Sequence, residues 1–308
     1  VRAAIRKIFR SNLAIKDGER VLVITDEGKR EIARQFLETA EELGHGVELA
    51  TVPIPEVHGV EPPAAVAGSM LAADVILIVT TRSLSHTRAR AEATRKGARI
   101  ATMAGVTEDI LRRFSQVDLL QMKARTNMYA DILDRGEAVL LTSKRGTDLA
   151  FSIAGRIAHG RKASIFDRPG YWGNIPCGEA FIAPIEDSVN GTLVIDASIA
   201  GIGLVDGDVT FHIRSGKVVE LEGGSAARRF EALLDDSRKR QVAEFGIGTN
   251  DKAEITGTTL EDEKALGTCH VAFGNNAFFG GENPVGFHMD CVMRAPTIVV
   301  DGRVIMGD

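Results

Sequence analysis

Glu179, Glu244, His270, His288 and Asp290 are five possible metal ligands, set in order in segments where glycine and asparagine are dense. Brought together, they would form an oxygen-rich, two-histidine cluster able to hold one or two divalent ions and to activate water. Two adjacent divalent ions carry four positive charges and three carboxylates return three, so a bridging hydroxide would balance the site. The chemistry implied is metal-assisted hydrolysis.

His288-Met289-Asp290 is the sharpest local signal. In an extended segment the i, i+2 spacing puts imidazole and carboxylate on one face while Met289 packs inward. His270 lies mid-way along the apolar run Gly267–Gly274, where a satisfied core histidine is the ordinary reading. The glycine- and asparagine-rich stretch from Gly274 to Gly286 favours a site instead, because it permits tight turns and joins His270 to His288 through a short loop. Glu244 precedes two glycines, Gly246 and Gly248, which implies close backbone approach; a surface glutamate before a turn is the competing reading. Glu179 leads into Ala180-Phe-Ile-Ala-Pro184, an apolar neighbourhood in which an unpaired carboxylate is costly and a metal partner plausible. Glu263, in an acidic run with Glu261 and Asp262, is the candidate general base, unless that run is a solvated turn.

Other catalytic signatures are missing. The sequence holds no His-Glu-x-x-His and no Gly-x-Ser-x-Gly elbow. His45, His58, His86, His159 and His212 lack companions in sequence and read as structural or solvated. Cys177, Cys269 and Cys291 are spaced too irregularly for a disulfide framework or a paired-cysteine zinc site. Strand alternation turns Cys269 and Cys291 away from an ion held by their neighbours, and leaves only Cys177 able to share the face of Glu179.

Two domains must carry these residues. The chain has 308 residues, of which 44% are hydrophobic and 26% charged, enough for two cores. Residues 1–136 alternate short apolar strands (Val21–Thr25, Val47–Val52, Asp74–Thr80, Ala98–Met103) with amphipathic helices, which predicts an open parallel sheet in a doubly wound α/β domain. The turn Thr25-Asp26-Glu27-Gly28-Lys29 lacks the dinucleotide fingerprint and puts acids where a pyrophosphate would sit, so this domain reads as scaffold. Beyond a break at Arg135-Gly136, residues 137–308 read as an α+β, sheet-rich metal-binding domain with a hairpin at Ser215-Gly216. A net charge of -5 with no basic run argues against nucleic-acid or anionic-membrane partners, and no apolar run approaches the ~20 residues of a membrane span. A soluble cytoplasmic enzyme is expected.

Taken in order, the C-terminal segments resemble the aminopeptidase T and aminopeptidase S family of metallo-exopeptidases. Pro176-Cys-Gly-Glu179-Ala-Phe-Ile-Ala-Pro184 is similar to that family's Pro-Thr-Glu-Glu-Val-Phe-Thr-Ala-Pro, and Ala243-Glu244-Phe-Gly-Ile falls at its Gly-Glu-Val-Ala-Leu. Asp262-Glu263-Lys-Ala with Cys269-His270-Val-Ala-Phe-Gly274 resembles Asp-Glu-Asn-Ala and Ser-His-Ile-Ala-Phe-Gly, and His288-Met-Asp290 the closing His-Val-Asp. The resemblance implies a homodimeric aminopeptidase-like hydrolase acting on a small peptide or amide. Its two zinc, cobalt or manganese ions would be bridged by Glu179 and a water. Two positions depart from the pattern: Gly178 replaces the first glutamate of the family's pair, and Ala277 replaces a tyrosine assigned to the tetrahedral intermediate. The chain also resembles 2,5-dihydroxypyridine 5,6-dioxygenase in Tyr171–Pro176 and in Ile185–Ser188 with Gly191–Val194. That alternative implies a single iron held by two histidines and an aspartate, with a histidine at the place of Glu244. A metal-binding protein without turnover is the third reading.

Overall fold

In the computed structural model, which describes residues 1–307, the chain divides into two compact units. One comprises Val1–Leu119 with Ser164–Cys177, the other Leu120–Ala163 with the chain from Gly178 onward. The backbone therefore passes between them at three points rather than at a single cut near Arg135-Gly136.

The first unit is an α/β layer structure built on a five-stranded parallel sheet. The strands run in the order Val47–Thr51, Val21–Thr25, Val75–Val79, Arg99–Thr102 and Trp172–Asn174. Every residue of Val21–Thr25 and of Val75–Val79 is buried, as parallel strands covered on both faces must be. Helices Arg30–Glu42, Ala64–Ala72, Arg88–Arg95 and Glu108–Ser115 supply the cover. Two of them start at threonines whose hydroxyls accept from the third residue on: Thr87 from the Arg90 N–H and Thr107 from the Ile110 N–H, each at 3.2 Å. The fifth strand is the returning segment Trp172–Asn174, too short and mixed to announce itself by periodicity. The initial helix is α-helical only over Arg2–Lys7 and widens into a π-helical turn at Ile8–Asn12.

The second unit packs two antiparallel sheets around one core. A seven-stranded sheet runs Lys217–Glu222, Val209–Arg214, Asn190–Ile195, Asp148–Ser152, Ala138–Thr142, Thr297–Val300 and Arg303–Met306. A six-stranded sheet runs Gly203–Leu204, Ser198–Ile199, His288–Arg294, Thr268–Gly274, Val242–Gly248 and Glu179–Ile182. Aromatic pairs bind the two: Phe151 meets Phe245 with ring centroids 5.1 Å apart, and Phe211 stacks on Phe273 at 4.9 Å. This is the sheet-rich α+β domain expected from the sequence. Among the described residues no helix is long and apolar enough to cross a membrane.

The alternation of the six-stranded sheet prepares the site. Ala180, Ile182, Phe245, Ile247, Cys269, Val271, Phe273, Cys291 and Met293 point into the shared core. Their neighbours on the opposite face are Glu179, Glu244, His270, His288 and Asp290, interleaved with Gly246, Gly248, Ala272 and Gly274. The small residues leave the long polar side chains room above the sheet.

Candidate metal centre

All five predicted ligands converge on that face, each delivered by strand register. Glu179 stands opposite Gly248, His270 opposite Gly246 and Val292, and both Glu244 and Asp290 opposite Ala272. Glu244 depends on an irregularity. Val242 pairs with Phe273 and Glu244 with Ala272, so Ala243 is an extra residue, and this β-bulge lets Val242 and Phe245 both enter the core while Glu244 faces the site.

Glu244 is the centre of the cluster. Its Oε1 lies 3.2 Å from His270 Nε2 and its Oε2 3.4 Å from His288 Nε2. His288 Nε2 is also 3.3 Å from Asp290 Oδ1, and His270 Nε2 is 3.7 Å from Glu179 Oε2. Two triads with donor atoms within 4.8 Å of one another result, Glu179–Glu244–His270 and Glu244–His288–Asp290. The carboxylate common to both is Glu244, not Glu179. The sequence pattern singles out the right group of residues but not which of them lies between the two histidines, because that depends on the bulge.

The two histidines are held differently. His288 Nδ1 lies 2.7 Å from the backbone carbonyl of Asn275, which can only accept, so Nδ1 carries the proton and donates it. In the neutral ring Nε2 is then a free lone pair aimed at Glu244 and Asp290, the arrangement that orients metal-ligating imidazoles. His270 Nδ1 is buried with no hydrogen-bond partner among the described residues. His270 has no exposed surface, whereas the His288 and Asp290 side chains are 22% and 20% exposed.

Next to Glu179 stands a residue whose role the sequence does not reveal. The Lys264 side chain is fully buried, with Nζ 2.9 Å from Glu179 Oε1 and in contact with Glu263. Burial opposes the ammonium, but attraction to Glu179 and Glu263 outweighs it and raises the Lys264 pKa above the ordinary lysine range. Burial, with Asp290 close by, pushes the Glu263 carboxyl well above the usual carboxylate range despite Lys264. Glu263, the candidate general base, is thus a buried carboxyl in contact with Lys264 rather than part of a solvated acidic turn.

The donor set fits a divalent ion. Burial disfavours charge on Glu244 and Asp290, yet the adjacent histidines hold both carboxyls below their ordinary pKa values. Reciprocally, and against burial, the carboxylates raise the His270 pKa to about 9 and carry His288 well above its usual value. The pocket thus draws positive charge towards Glu244, and its oxygen and imidazole donors suit zinc, manganese, cobalt or iron. Among the described residues no cysteine joins either group of ligands: Cys269 and Cys291 lie in the core on the other side of the sheet, and Cys177 meets the Ser164 hydroxyl.

Both departures from the peptidase pattern have structural counterparts. Gly178 has φ +123°, and a Cβ there would sit 2.7 Å from the Asn250 Cβ and 2.8 Å from the Met122 Sδ, so a glutamate could not occupy this backbone unchanged. Ala277 opens a short 3₁₀ turn, Ala277–Phe279, on an exposed loop. That turn carries Phe279, which no sequence motif marks. Its ring centroid lies 5.9 Å from that of His288 and 5.7 Å from that of Phe181, and His159 stacks on Phe181 at 5.3 Å. His159 is therefore not solitary. Nor is His212, which pairs with Glu222 at 3.2 Å beside Glu220 on an exposed hairpin.

Comparison with known proteins decides between the two families. The family profile described as 2,5-dihydroxypyridine 5,6-dioxygenase (NicX) matches residues 3–308. A curated 2,5-dihydroxypyridine 5,6-dioxygenase from Pseudomonas putida is 25% identical over 246 residues, covering 75% of this chain and 69% of that protein. The solved 2,5-dihydroxypyridine dioxygenase structure from Pseudomonas putida KT2440 superimposes with a TM-score of 0.82 at 19% identity, over 99% of this chain and 94% of the other. Wild-type AmpT from Thermus thermophilus gives a TM-score of 0.72, also at 19% identity, over 99% and 96%. At that identity the AmpT likeness shows a shared fold alone. The expectation of an aminopeptidase-like zinc or cobalt hydrolase is overturned by the profile and by the curated relative. Donor types common to both chemistries made it attractive. With its match extending over residues 3–308, the chain belongs to the 2,5-dihydroxypyridine 5,6-dioxygenase family.

Proposed function

We propose that this chain is a mononuclear non-haem iron dioxygenase that opens a hydroxylated pyridine ring of the 2,5-dihydroxypyridine type, with iron held by Glu244, His288 and Asp290. The observation that carries the reading is the second triad itself. It is partly exposed, its histidine is oriented through Asn275, and it lies beside an aromatic group formed by Phe279, Phe181 and His159. When bound, ferrous iron would supply the one-electron chemistry that allows dioxygen to react with a ring. Asp290 and Glu244 would contribute two negative charges that hold a divalent ion, and His288 a neutral donor. The edge-to-face contacts of Phe279 with His288 and Phe181 offer a planar substrate an apolar surface next to the triad.

Protein loaded anaerobically with ferrous iron is expected to consume one dioxygen per 2,5-dihydroxypyridine lost, and chelated protein none. Iron near one per chain, with neither oxygen uptake nor loss of ring absorbance, would rule out this substrate class. The aromatic surface gives a second expectation. Phe279→Ala should raise KM for the ring by ~10-fold with iron content unchanged, since losing an aromatic pair and its burial is worth about 1–1.5 kcal/mol. An unaltered KM would remove Phe279 from substrate binding.

A further inference from the structure

We infer that Lys264 is a built-in cation that takes the place of a second metal ion, so that of the two triads sharing Glu244 only Glu244–His288–Asp290 accepts metal. The inference rests on the proposed function in taking that triad as the metal site. The other triad, Glu179–Glu244–His270, has the composition of a second half-site, and three features close it.

The first is charge. Lys264 Nζ sits 2.9 Å from Glu179 Oε1 and also meets Glu263, with no exposed surface. Its backbone is pinned as well: the Asn250 N–H donates to the Lys264 carbonyl and the Lys264 N–H to that of Glu261, each at 2.9 Å. The ammonium therefore cannot swing into solvent to vacate Glu179. A divalent ion taking Glu179 as a ligand would be set against a fixed like charge on a fully buried side chain, where solvent screens repulsion least.

The second is orientation. His288 donates its Nδ1 proton to a backbone carbonyl, while His270 Nδ1 has no partner among the described residues, so only His288 carries the outer hydrogen bond typical of a ligating imidazole. The third is access. His288 and Asp290 reach solvent, whereas His270 and Lys264 do not. Glu179 is then a counter-ion rather than a ligand, and a sheet face with donors for two ions carries one ion and one ammonium.

Metal stoichiometry tests this without recourse to turnover. Cobalt(II) is titrated anaerobically into the full chain as wild type, Lys264→Gln, Lys264→Met, Lys264→Arg and Glu179→Gln, with bound metal counted after desalting and folding checked by circular dichroism. Wild type, Lys264→Arg and Glu179→Gln should hold one ion. Lys264→Gln and Lys264→Met should take up a second, bound at least ~100-fold more tightly than any second ion in wild type. Two equivalent ions in wild type, or a folded neutral variant that stays at one, would overturn the role of Lys264 while leaving the proposed oxygenase standing. Should both neutral variants fail to fold, Glu179→Gln decides, because a fall below one ion would show Glu179 to be a ligand. A wild type that binds no ion at all sinks the proposed function and this inference together.

Discussion

Asp290→Asn is expected to abolish stable iron binding and to reduce ring-dependent oxygen uptake at least ~100-fold, because loss of a partner outside the ligand set already costs 10–100-fold in such sites. The substitution keeps shape and removes charge. Asp290 shares its strand face with His288, whose Nε2 it meets at 3.3 Å, and together with Glu244 it gives the triad its two negative charges. An amide oxygen can still accept a hydrogen bond from His288, so the strand pairing with Thr268–Gly274 has no reason to change. The metal-free variant should still fold, though less stably than metal-free wild type. Despite burial, attraction to His288 holds the Asp290 carboxyl below its ordinary pKa, so the folded state gains from this charge and the neutral amide gives that gain up. The signature is thus loss of metal and activity without loss of folding, read by iron content, oxygen electrode and thermal melting. Retention of one ion and of oxygen uptake would show that the metal is held elsewhere.

What the sequence discloses of this site follows from periodicity. His288 and Asp290, two apart on a strand, had to share a face, and Cys269 and Cys291 had to leave it; both hold because the strands around them are regular. The parallel strands of the first unit were legible for the same reason, since a short unbroken apolar run such as Val75–Val79 suits a strand covered on both faces. Legibility fails where a contact depends on tertiary placement. Nothing local to Glu244 reveals the extra residue at Ala243 that aims it between two histidines. Lys264 follows three acids and reads as surface, yet it is wholly buried, because its partners are the buried Glu263 and the half-buried Glu179. Phe279, Phe181 and His159 come from separate segments and meet only in the folded unit. The reaction class was the deepest gap. Carboxylates and imidazoles serve hydrolytic ions and iron alike, so the ligand set left hydrolysis and oxygenation open on one fold.

Gly246→Ala is expected to cost about 1–3 kcal/mol of stability through overpacking, a large effect for one methyl group. Gly246 lies opposite His270 in the register, and a Cβ there would sit 2.1 Å from the His270 Cε1, 2.2 Å from its Nε2 and 2.9 Å from its Nδ1. The ring cannot yield outward as a surface side chain would, since it is fully buried with its Nε2 on Glu244 and Glu179. Any displacement presses on Glu244, the residue shared by both triads, so metal affinity should fall along with stability. Gly68→Ala provides the opposite sign as a control. Gly68 lies in the exposed part of helix Ala64–Ala72 with nothing within 4 Å of the added carbon, and the change should stabilise by roughly 0.5–1 kcal/mol. Denaturant melts of the two variants, with and without iron, separate the effects. If Gly246→Ala matches Gly68→Ala in stability and binds iron normally, the packing of His270 against the strand Val242–Gly248 is looser than these distances require, and Glu244 is positioned by its bulge alone.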